Sequence, residues 1–452
     1  MTRSPGRTST GFVDDWHRLP TAISPATILA RMAIGPIQLI QQATPGQRRT
    51  LLAASLGWML DSFDAMLYAL VLAYVMRDLG MSKSTAGLLS TLMLLASGIG
   101  GIMFGVLADR IGRKRALTLS IVTYSVCSFA SGLSTTVLML AIVRFILGLG
   151  MGGEWNTGAT LVAETWPDEL RAKALAIVQS SWAIGYALAA LVASIVLHYA
   201  NWRFVFFVGI LPALVTIWIR NRVPESEMWI ERGKNQKLEP QGTRSTQGNE
   251  SFFAIFRAPY LKSTSALLFV NFFGLFGWWG LFQWIPAYLS LPVERGGRGF
   301  SVMGTASLLI FLNLFGMFPG YLSYGWVADY LGRRKSFALY LFAAALLIPV
   351  YAMARSQAAL LVLGALVAFF GTGWFSGCGT IGSEIYPTSL RARGLGFTYT
   401  GARAMSSVSP YVIGKVGDLK GLNWAFYLCA GAFLLAGLMA TQLPETKGQG
   451  LE

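Results

Sequence analysis

The feature that most constrains the fold is a series of long apolar stretches that recur along the whole chain. Residues 86–108 and 337–354, for example, contain no charged side chain. About 20 apolar residues, rising about 1.5 Å each, cross the hydrocarbon core of a bilayer. Over the whole chain 54% of the residues are apolar and only 13% are charged, which does not suit a soluble surface. The sequence therefore predicts an all-α integral membrane protein.

We identify twelve such stretches, called segments 1 to 12 in chain order, and expect each to be a transmembrane helix. They cover residues 51–76, 87–108, 116–133, 136–161, 174–198, 203–220, 263–290, 301–328, 336–354, 358–384, 394–416 and 422–443.

The basic residues are concentrated on one side of this predicted arrangement. If the N-terminus is cytoplasmic, 26 of the 36 Lys and Arg residues fall on the cytoplasmic face and 8 on the other. Arg144 and Arg403 lie inside segments. The positive-inside rule then places both termini in the cytoplasm and accounts for the net charge of +15 without nucleic acid. We expect a monomer in the lipid bilayer of the plasma membrane, which is the inner membrane in a bacterium.

Other features exclude several alternatives. Cys127, Cys378 and Cys429 lie in apolar segments without metal-ligand spacing, so we expect buried thiols, no metal and no cofactor. His17 and His198 are the only histidines, and no set of nucleophile and base converges, so an enzyme is not expected. No phosphate-binding loop is present, which disfavours transport driven by ATP. Residues 21–42 suit either an amphipathic surface helix or a disordered tail.

Two charged clusters show that the chain is duplicated. The stretch GVLADRIGRKR at 105–115 recurs as GWVADYLGRRK at 325–335, and the same offset in residue number relates three further features. It maps Glu164 onto Glu384 and Pro224 onto Pro444. It also maps the Leu-Arg-Ala triplet that follows Glu164 onto the same triplet after Glu384. Agreement at separated places indicates a true repeat. We predict an N-terminal tail 1–50, two pseudo-symmetric six-helix bundles at 51–221 and 263–443, a cytoplasmic linker 222–262 and a tail 444–452.

These residues carry a family resemblance over almost the whole chain. The first cluster resembles the loop signature of major facilitator superfamily transporters, and its copy departs only at Tyr330. RFILGLGMGGE at 144–154 is similar to a fourth-segment motif of that family, and PES and PET resemble the ends of segments 6 and 12 in sugar-porter-like branches. LDSFDAMLYALVL and GMGGEWNTGATLVAETWP most resemble the sialate and lactate proton symporters, and more distantly the aromatic acid proton symporters.

The resemblance implies that the charged clusters form a cytoplasmic latch between two moving halves. Our hypothesis joins Asp109 with Glu164 and Arg113, and Asp329 with Glu384 and Arg333 in the copy; the basic residues alone would also serve as topology anchors. Gly105 and Gly112 are expected to permit the tight turn. The predicted gate also includes three further arginines, Arg110, Arg171 and Arg391.

Ionisable side chains inside segments are costly and usually face a cavity and a partner. Asp61 and Asp64 lie three residues apart on one face of segment 1, and two carboxyls this close titrate in separate steps. The resemblance to acid symporters also implies proton coupling at this pair. Arg144 would balance an acid of segment 1 or contact substrate. Glu154, about 15 Å nearer the cytoplasm, suits a structural hydrogen bond or a role in proton transfer.

Arg403 stands near the middle of segment 11 without an acid on that segment. A guanidinium fork suits a carboxylate, so we predict an anion-binding role, with structural pairing as the alternative. Polar and aromatic neighbours complete the predicted substrate site, although such residues also serve as interface anchors or helix links. They are Tyr68, Asn156, Gln179, Trp182, Asn271, Trp278, Gln283 and Asn313, with Trp279 as a further candidate.

The leading functional hypothesis is a secondary active transporter that carries a small organic anion, such as a monocarboxylate or sialate-like acid, with a proton by alternating access. Proton-coupled sugar transport is a second hypothesis, favoured by PES and PET but disfavoured by Arg403. An exporter and a transporter-like nutrient sensor are further alternatives, and the short linker gives a sensor little room for a partner-binding motif.

Overall fold

The computed structural model describes residues 36–222, 225 and 252–447. A short helix, Pro36–Gln42, belongs to a unit that ends at Ala43, and the other described elements belong to a unit that begins at Thr44. That short helix falls in the predicted amphipathic stretch 21–42, whose earlier residues lie outside the described part, as does most of the predicted linker.

Helices occupy the positions of all twelve predicted segments. In the N-terminal half they are Pro45–Asp78 (segment 1), Lys83–Ile111 (segment 2), Arg113–Gly132 (segment 3), Val137–Thr165 (segment 4), Asp168–Tyr199 (segment 5), and Trp202–Val208 with Pro212–Arg222 (segment 6).

The C-terminal half follows the same order, with more interruptions. Its helices are Leu261–Ser290 (segment 7), Val302–Phe311, Leu312–Met317 and Phe318–Leu331 (segment 8), Arg333–Met353 (segment 9), Gln357–Gly373 and Phe375–Ile385 (segment 10), Thr388–Leu395, Gly396–Gly401, Ala402–Ser406 and Ser409–Lys420 (segment 11), and Leu422–Ala440 (segment 12). The pieces Leu312–Met317 and Gly396–Gly401 are π-helical, and short 3₁₀ turns lie at Phe252–Phe256 and Val293–Arg295.

Length and composition support a membrane fold for most of these segments. Among the described residues, nine helical stretches are long and apolar enough to cross a bilayer, and they correspond to all segments except 3, 6 and 11. Segment 6 is broken before Pro212, whose ring removes a backbone donor, and segment 11 is divided into four pieces. The all-helical membrane architecture is confirmed, while twelve crossings and cytoplasmic termini stay predictions.

The repeat seen in the sequence is also a repeat of local structure. Thr136 and Ser356, which occupy equivalent positions of the repeat, cap the first turns of segments 4 and 10 by accepting from the N–H of Met139 and of Ala359. The two halves meet mainly through segments 1 and 7, segments 2 and 11, and segments 5 and 8. The last two of these pairs are exchanged by the repeat, so the seam between the halves is itself pseudo-symmetric.

The two signature loops form the same turn. Gly112 and Gly332 separate their helices with φ of 99° at each, a backbone conformation that glycine adopts without strain. The turn role predicted for Gly105 is wrong, because Gly105 lies inside Lys83–Ile111, where a helical backbone accepts any ordinary residue. An added Cβ at Gly105 or at Gly325 would meet no atom within 4 Å.

Candidate functional site

Two ion triads lie beside the glycine turns. Arg113 binds Asp109 through Nη1 at 2.7 Å and Glu164 through Nη2 at 3.2 Å. The copy joins Arg333 to Asp329, and the Arg333 Nε lies 3.4 Å from Glu384 Oε1. The contacts that the sequence predicted within each half are therefore present in both halves. Each triad ties the loop between two segments to the end of a third, and its role as a transport latch stays a prediction.

A second pair of carboxylates, whose contacts were not predicted, supports these turns. Glu225 accepts from the backbone N–H of Lys114 at 3.1 Å, and Glu445 accepts from that of Arg333 at 2.7 Å. An anion at a helix N-terminus is stabilised by unpaired N–H groups and by the helix dipole. The recurrence of PES as PET at equivalent positions of the repeat was the signal for this duplicated contact.

The remaining residues of the predicted gate are less uniform. Arg391 donates from Nε to the Ser383 carbonyl at 2.9 Å, and Arg171 occupies the equivalent place in the first half. Arg110 is exposed to solvent. Lys173, at the start of segment 5, interacts electrostatically with Asp329 of the other half, which links the two halves on the face that carries the triads.

The N-terminal half buries the four ionisable side chains predicted for proton coupling. Asp61, Asp64 and Arg144 have no exposed surface, and Glu154 has 1%. Asp64 accepts from the Ser128 hydroxyl at 2.7 Å. Gly209, in the break of segment 6, allows this approach, because an added Cβ would lie 2.6 Å from Asp64 Oδ1.

Most polar atoms of this buried cluster have no hydrogen-bond partner among the described residues. Both carboxyl oxygens of Asp61 and of Glu154 are unpaired, as are all three guanidinium nitrogens of Arg144. Arg144 instead lies over the Tyr68 ring, 4.3 Å from its centre, and interacts electrostatically with Asp64. No structural hydrogen bond to the Glu154 carboxyl is present in the described part.

Electrostatic interactions connect the cluster internally and across the seam. Asp61 interacts with Glu154 and, in the other half, with Arg403. The buried Tyr124 hydroxyl, which was not predicted, has no described partner and lies within electrostatic range of Asp61, Asp64 and Glu154. Tyr124 lies on segment 3, and nothing in the sequence related it to the acids of segments 1 and 4.

A cavity lies between the two halves, and the space inside it, counted together with the solvent at its mouth, is about 340 Å³. Its lining is mostly aromatic and comes from both halves. The lining residues are Trp58, Gln179, Trp182, Leu275, Trp278, Trp279, Tyr321, Phe375, Tyr399 and Arg403.

Several predicted substrate contacts meet in this cavity. Arg403, Gln179, Trp182 and Trp278 line it, together with Trp279. Trp58, Tyr321, Phe375, Tyr399 and Leu275 line it as well and were not predicted.

Four other predicted contacts are buried elsewhere. Tyr68 donates to the Ala86 carbonyl, and the amides of Asn271 and Asn313 donate to main-chain carbonyls, so each has a structural partner. Gln283 is buried with no described partner for either amide atom. The Asn156 side chain lies outside the part that the structure describes.

The electrostatics of the cavity centre on one guanidinium. Arg403 forms no ion pair with any described residue, and its Nε has no hydrogen-bond partner. The indole N–H groups of Trp182 and Trp278 are also unpaired in the described part. Across the described ranges no group of three or more His, Cys, Asp and Glu residues could hold a metal ion. The cavity wall thus carries one cation that has no ion pair in the described part of the chain.

An all-helical membrane fold with a central cavity and buried ionisable groups is typical of membrane transport proteins. The sequence profile of the Major Facilitator Superfamily matches residues 54–319 and 297–450. The chain belongs to this superfamily. It is a multi-pass protein of the plasma membrane, which is the inner membrane in bacteria.

Two curated relatives and one solved structure illustrate the similarity. A probable 4-methylmuconolactone transporter of Cupriavidus pinatubonensis is 33% identical, over 90% of this chain and 93% of the relative. The sialic acid transporter NanX of Escherichia coli is 32% identical, over 89% and 96%. The crystal structure of a D-xylose-proton symporter aligns with a TM-score of 0.67 at 20% identity, over 89% of this chain and 99% of that one, which shows the shared fold.

Proposed function

We propose that this protein is a secondary active transporter that moves a small organic anion together with a proton by alternating access. The observation that carries the proposal is the Arg403 guanidinium, which lies in the wall of the cavity between the halves without an ion-pair partner among the described residues. A partly buried cation without a counter-ion is costly, and a carboxylate that binds it through two parallel hydrogen bonds removes that cost.

Asp61 is the carboxyl group best placed to carry the proton. It interacts electrostatically with Arg403, and neither of its oxygens has a described partner. An ionised Asp61 competes with the solute for Arg403, whereas a protonated Asp61 leaves the guanidinium to the solute. Proton binding and anion binding therefore support each other, which is the requirement for symport.

Asp64 and Arg144 have a supporting role in this proposal. Asp64 accepts from the Ser128 hydroxyl and interacts electrostatically with Arg144, so its partners lie within the N-terminal half. Glu154 adds a third carboxyl to the same buried region, and the three carboxyl groups outnumber the single arginine there. Because the carboxyl groups outnumber the arginine, one of them can hold a proton, and no further cation is needed to balance its charge.

The control of the motion between the halves is assigned to the face that carries the two ion triads. Each triad lies within one half and holds the loop of that half in place, and Lys173 and Asp329 interact across the seam at this face. We propose that this face is cytoplasmic and that the Lys173–Asp329 interaction breaks when the cavity opens inward.

The test is uptake into proteoliposomes under an imposed pH gradient, with a panel of radiolabelled acids and sugars. We expect accumulation of an organic acid that a protonophore abolishes. Asp61→Asn should lose accumulation driven by the gradient but keep exchange of solute across the membrane, because exchange needs no net proton movement. Asp78→Asn, which removes an acid at the end of segment 1 beside Arg203, is the matched control and should keep both activities.

Two outcomes would overturn the proposal. Uptake of a sugar with no acid transported would favour the second candidate, a sugar symporter. Accumulation that persists in Asp61→Asn would remove the proton from this residue.

A further inference from the structure

We infer that Asn271 is a positioning residue of the anion site: its amide fixes an irregular turn of segment 11, and the place of that turn decides whether Arg403 faces the cavity. The inference rests on the proposed function, because it takes Arg403 as the group that binds the solute. Asn271 does not line the described cavity, so it acts through the backbone of segment 11.

Segment 11 contains a π-helical turn directly before Arg403. The turn covers Gly396–Gly401, and a regular helix, Ala402–Ser406, follows it. A π turn bonds a carbonyl to the N–H five residues further on, so it holds one residue more than an α-helical turn. Each residue of an α-helix advances about 100° around the helix axis. The extra residue therefore sets the direction of the side chains that follow it.

Contacts with neighbouring segments hold segment 11 on both sides of the turn. On the predicted cytoplasmic side Leu395 packs against Gly382 of segment 10, where an added Cβ would lie 2.3 Å from Leu395 Cδ2. On the predicted outer side the Trp284 indole of segment 7 donates to the Pro410 carbonyl at 3.1 Å. While both contacts persist, the extra residue has to lie between them.

The local sequence explains a π turn in segment 8 but not the one in segment 11. In segment 8 the turn is Leu312–Met317, and Pro319 follows it two residues later. A proline ring removes one N–H and clashes with the carbonyl four residues earlier, which here belongs to Phe315 inside that turn. Segment 11 has no proline between Thr388 and Gly401. Its turn therefore depends on a contact from another segment.

Asn271 of segment 7 makes such a contact. Its side-chain amide donates to the Thr398 carbonyl inside the turn at 3.1 Å, and the Asn271 side chain is 1% exposed. Where a π turn returns to an α-helix, a main-chain carbonyl loses its partner along the helix, and a buried carbonyl without a donor is costly. The amide supplies this donor, so it fixes the extra residue on the cytoplasmic side of Arg403.

Loss of the donor should allow the turn to move along segment 11 past Arg403. The helix before the turn would then extend by one residue, Ala402 would take the place that faces the cavity, and Arg403 would turn away by about 100°. In the structure Ala402 has no exposed surface, whereas Arg403 lines the cavity. The two positions of the turn therefore give opposite accessibilities at two neighbouring residues.

Cysteine accessibility in the purified full-length protein tests this inference without a known solute. Ala402→Cys and Arg403→Cys are made one at a time after the three native cysteines have been replaced, and each is modified with a small water-soluble methanethiosulfonate. With Asn271 present, we expect position 403 to react faster than position 402. In Asn271→Leu we expect the order to reverse.

Two further variants separate the amide from a general effect of the substitution. Asn313→Leu is the matched control, because Asn313 is a buried asparagine in the π turn of segment 8 and donates to the Leu309 carbonyl of its own segment. It should leave the order at positions 402 and 403 unchanged. Asn271→Gln keeps the amide and should retain the wild-type order. Under the proposed function, Asn271→Leu should also raise the half-saturating concentration of the transported acid by about tenfold.

A deletion provides a second test if Asn271→Leu does not fold. Deleting Thr400 removes the extra residue, so segment 11 should become a regular helix between its two fixed contacts, with position 403 still facing the cavity. Asn271→Leu should then be tolerated in the deletion variant and leave the order of reactivity unchanged, because no extra residue remains to move.

The possible failures are distinct. If position 403 still reacts faster than position 402 in Asn271→Leu, or if deletion of Thr400 makes position 403 unreactive, the inference is wrong and an organic-anion transporter remains intact. A reversed order in a protein that transports no acid would support the assignment of Asn271 and overturn the proposed function.

Discussion

Removing the carboxylate of Asp418 should loosen the contact between the two halves on the predicted outer face. Asp418, near the end of segment 11, accepts from the backbone N–H groups of Lys83 at 3.1 Å and Ser84 at 2.8 Å. These residues open the first turn of segment 2, so the carboxylate caps a helix of the other half. The contact exists only while the outer ends of segments 2 and 11 are together.

The size of the effect follows from the chemistry of this cap. Asp418 is exposed, so each hydrogen bond contributes about 0.5 kcal/mol rather than the larger value of a buried one. The helix N-terminus adds about 0.3 kcal/mol or more at low salt. A total of about 1 to 1.5 kcal/mol corresponds to a five- to tenfold rise in the population that is open on this face. High salt should reduce the difference, because surface charges are screened.

Double electron–electron resonance distances in proteoliposomes measure this population. Spin labels at Leu138 and Met353 report on the predicted outer ends of the two halves, since these side chains are 71% and 70% exposed. The three native cysteines are first replaced. Asp418→Ala should raise the long-distance population, whereas Asp78→Ala should leave it unchanged, because the partner of Asp78 is in its own half. Identical distance distributions for both variants would refute the assignment of Asp418 as a contact that holds this face closed.

Two further variants probe other contacts. Arg113→Gln should lower the unfolding temperature in detergent more than Arg333→Gln, because the Arg113 side chain is 6% exposed and that of Arg333 is 17% exposed. We expect Arg113→Gln to lower the free energy of unfolding by about 2 kcal/mol. Equal shifts of the unfolding temperature in the two variants would contradict this expectation. Gly87→Ala should slow transport severalfold, because its Cβ would lie 2.2 Å from the Pro410 carbonyl oxygen across the seam. Gly431→Ala, with no atom within 4 Å of its Cβ, should transport normally in the same uptake assay.

The predictions from sequence were most accurate for features that depend on residues close together in the chain or on the internal repeat. The segments follow from the length of apolar runs, and helices occupy all their positions. The ion triads follow from short spacings, since Asp109 and Arg113 are only four residues apart across the Gly112 turn, and from the repeat that copies each pair into the second half. The prediction failed at Gly105 because the signature contains two glycines and only Gly112 occupies the turn.

The cavity lining was predicted only in part, because it depends on how the helices are rotated about their axes. Hydropathy does not distinguish an aromatic ring that faces lipid from one that faces a central cavity. Tyr321, Phe375 and Tyr399 lie on interrupted segments, where the usual periodicity of a helix face is lost. Trp58 could have been found, since it lies one turn before Asp61 on segment 1.

The asymmetry of the two halves indicates how chemistry and movement are divided. The repeat duplicates both triads, but it places Leu281 at the position of Asp61 and Ala183 at that of Arg403. Contacts that serve a rocking motion are needed in both halves, whereas a proton site and an anion site are each needed once. Because Asp61 and Arg403 lie in different halves, their electrostatic interaction acts across the seam. Any rocking of the halves changes this interaction, so under the proposed function the movement itself links the occupancy of the proton site to that of the anion site.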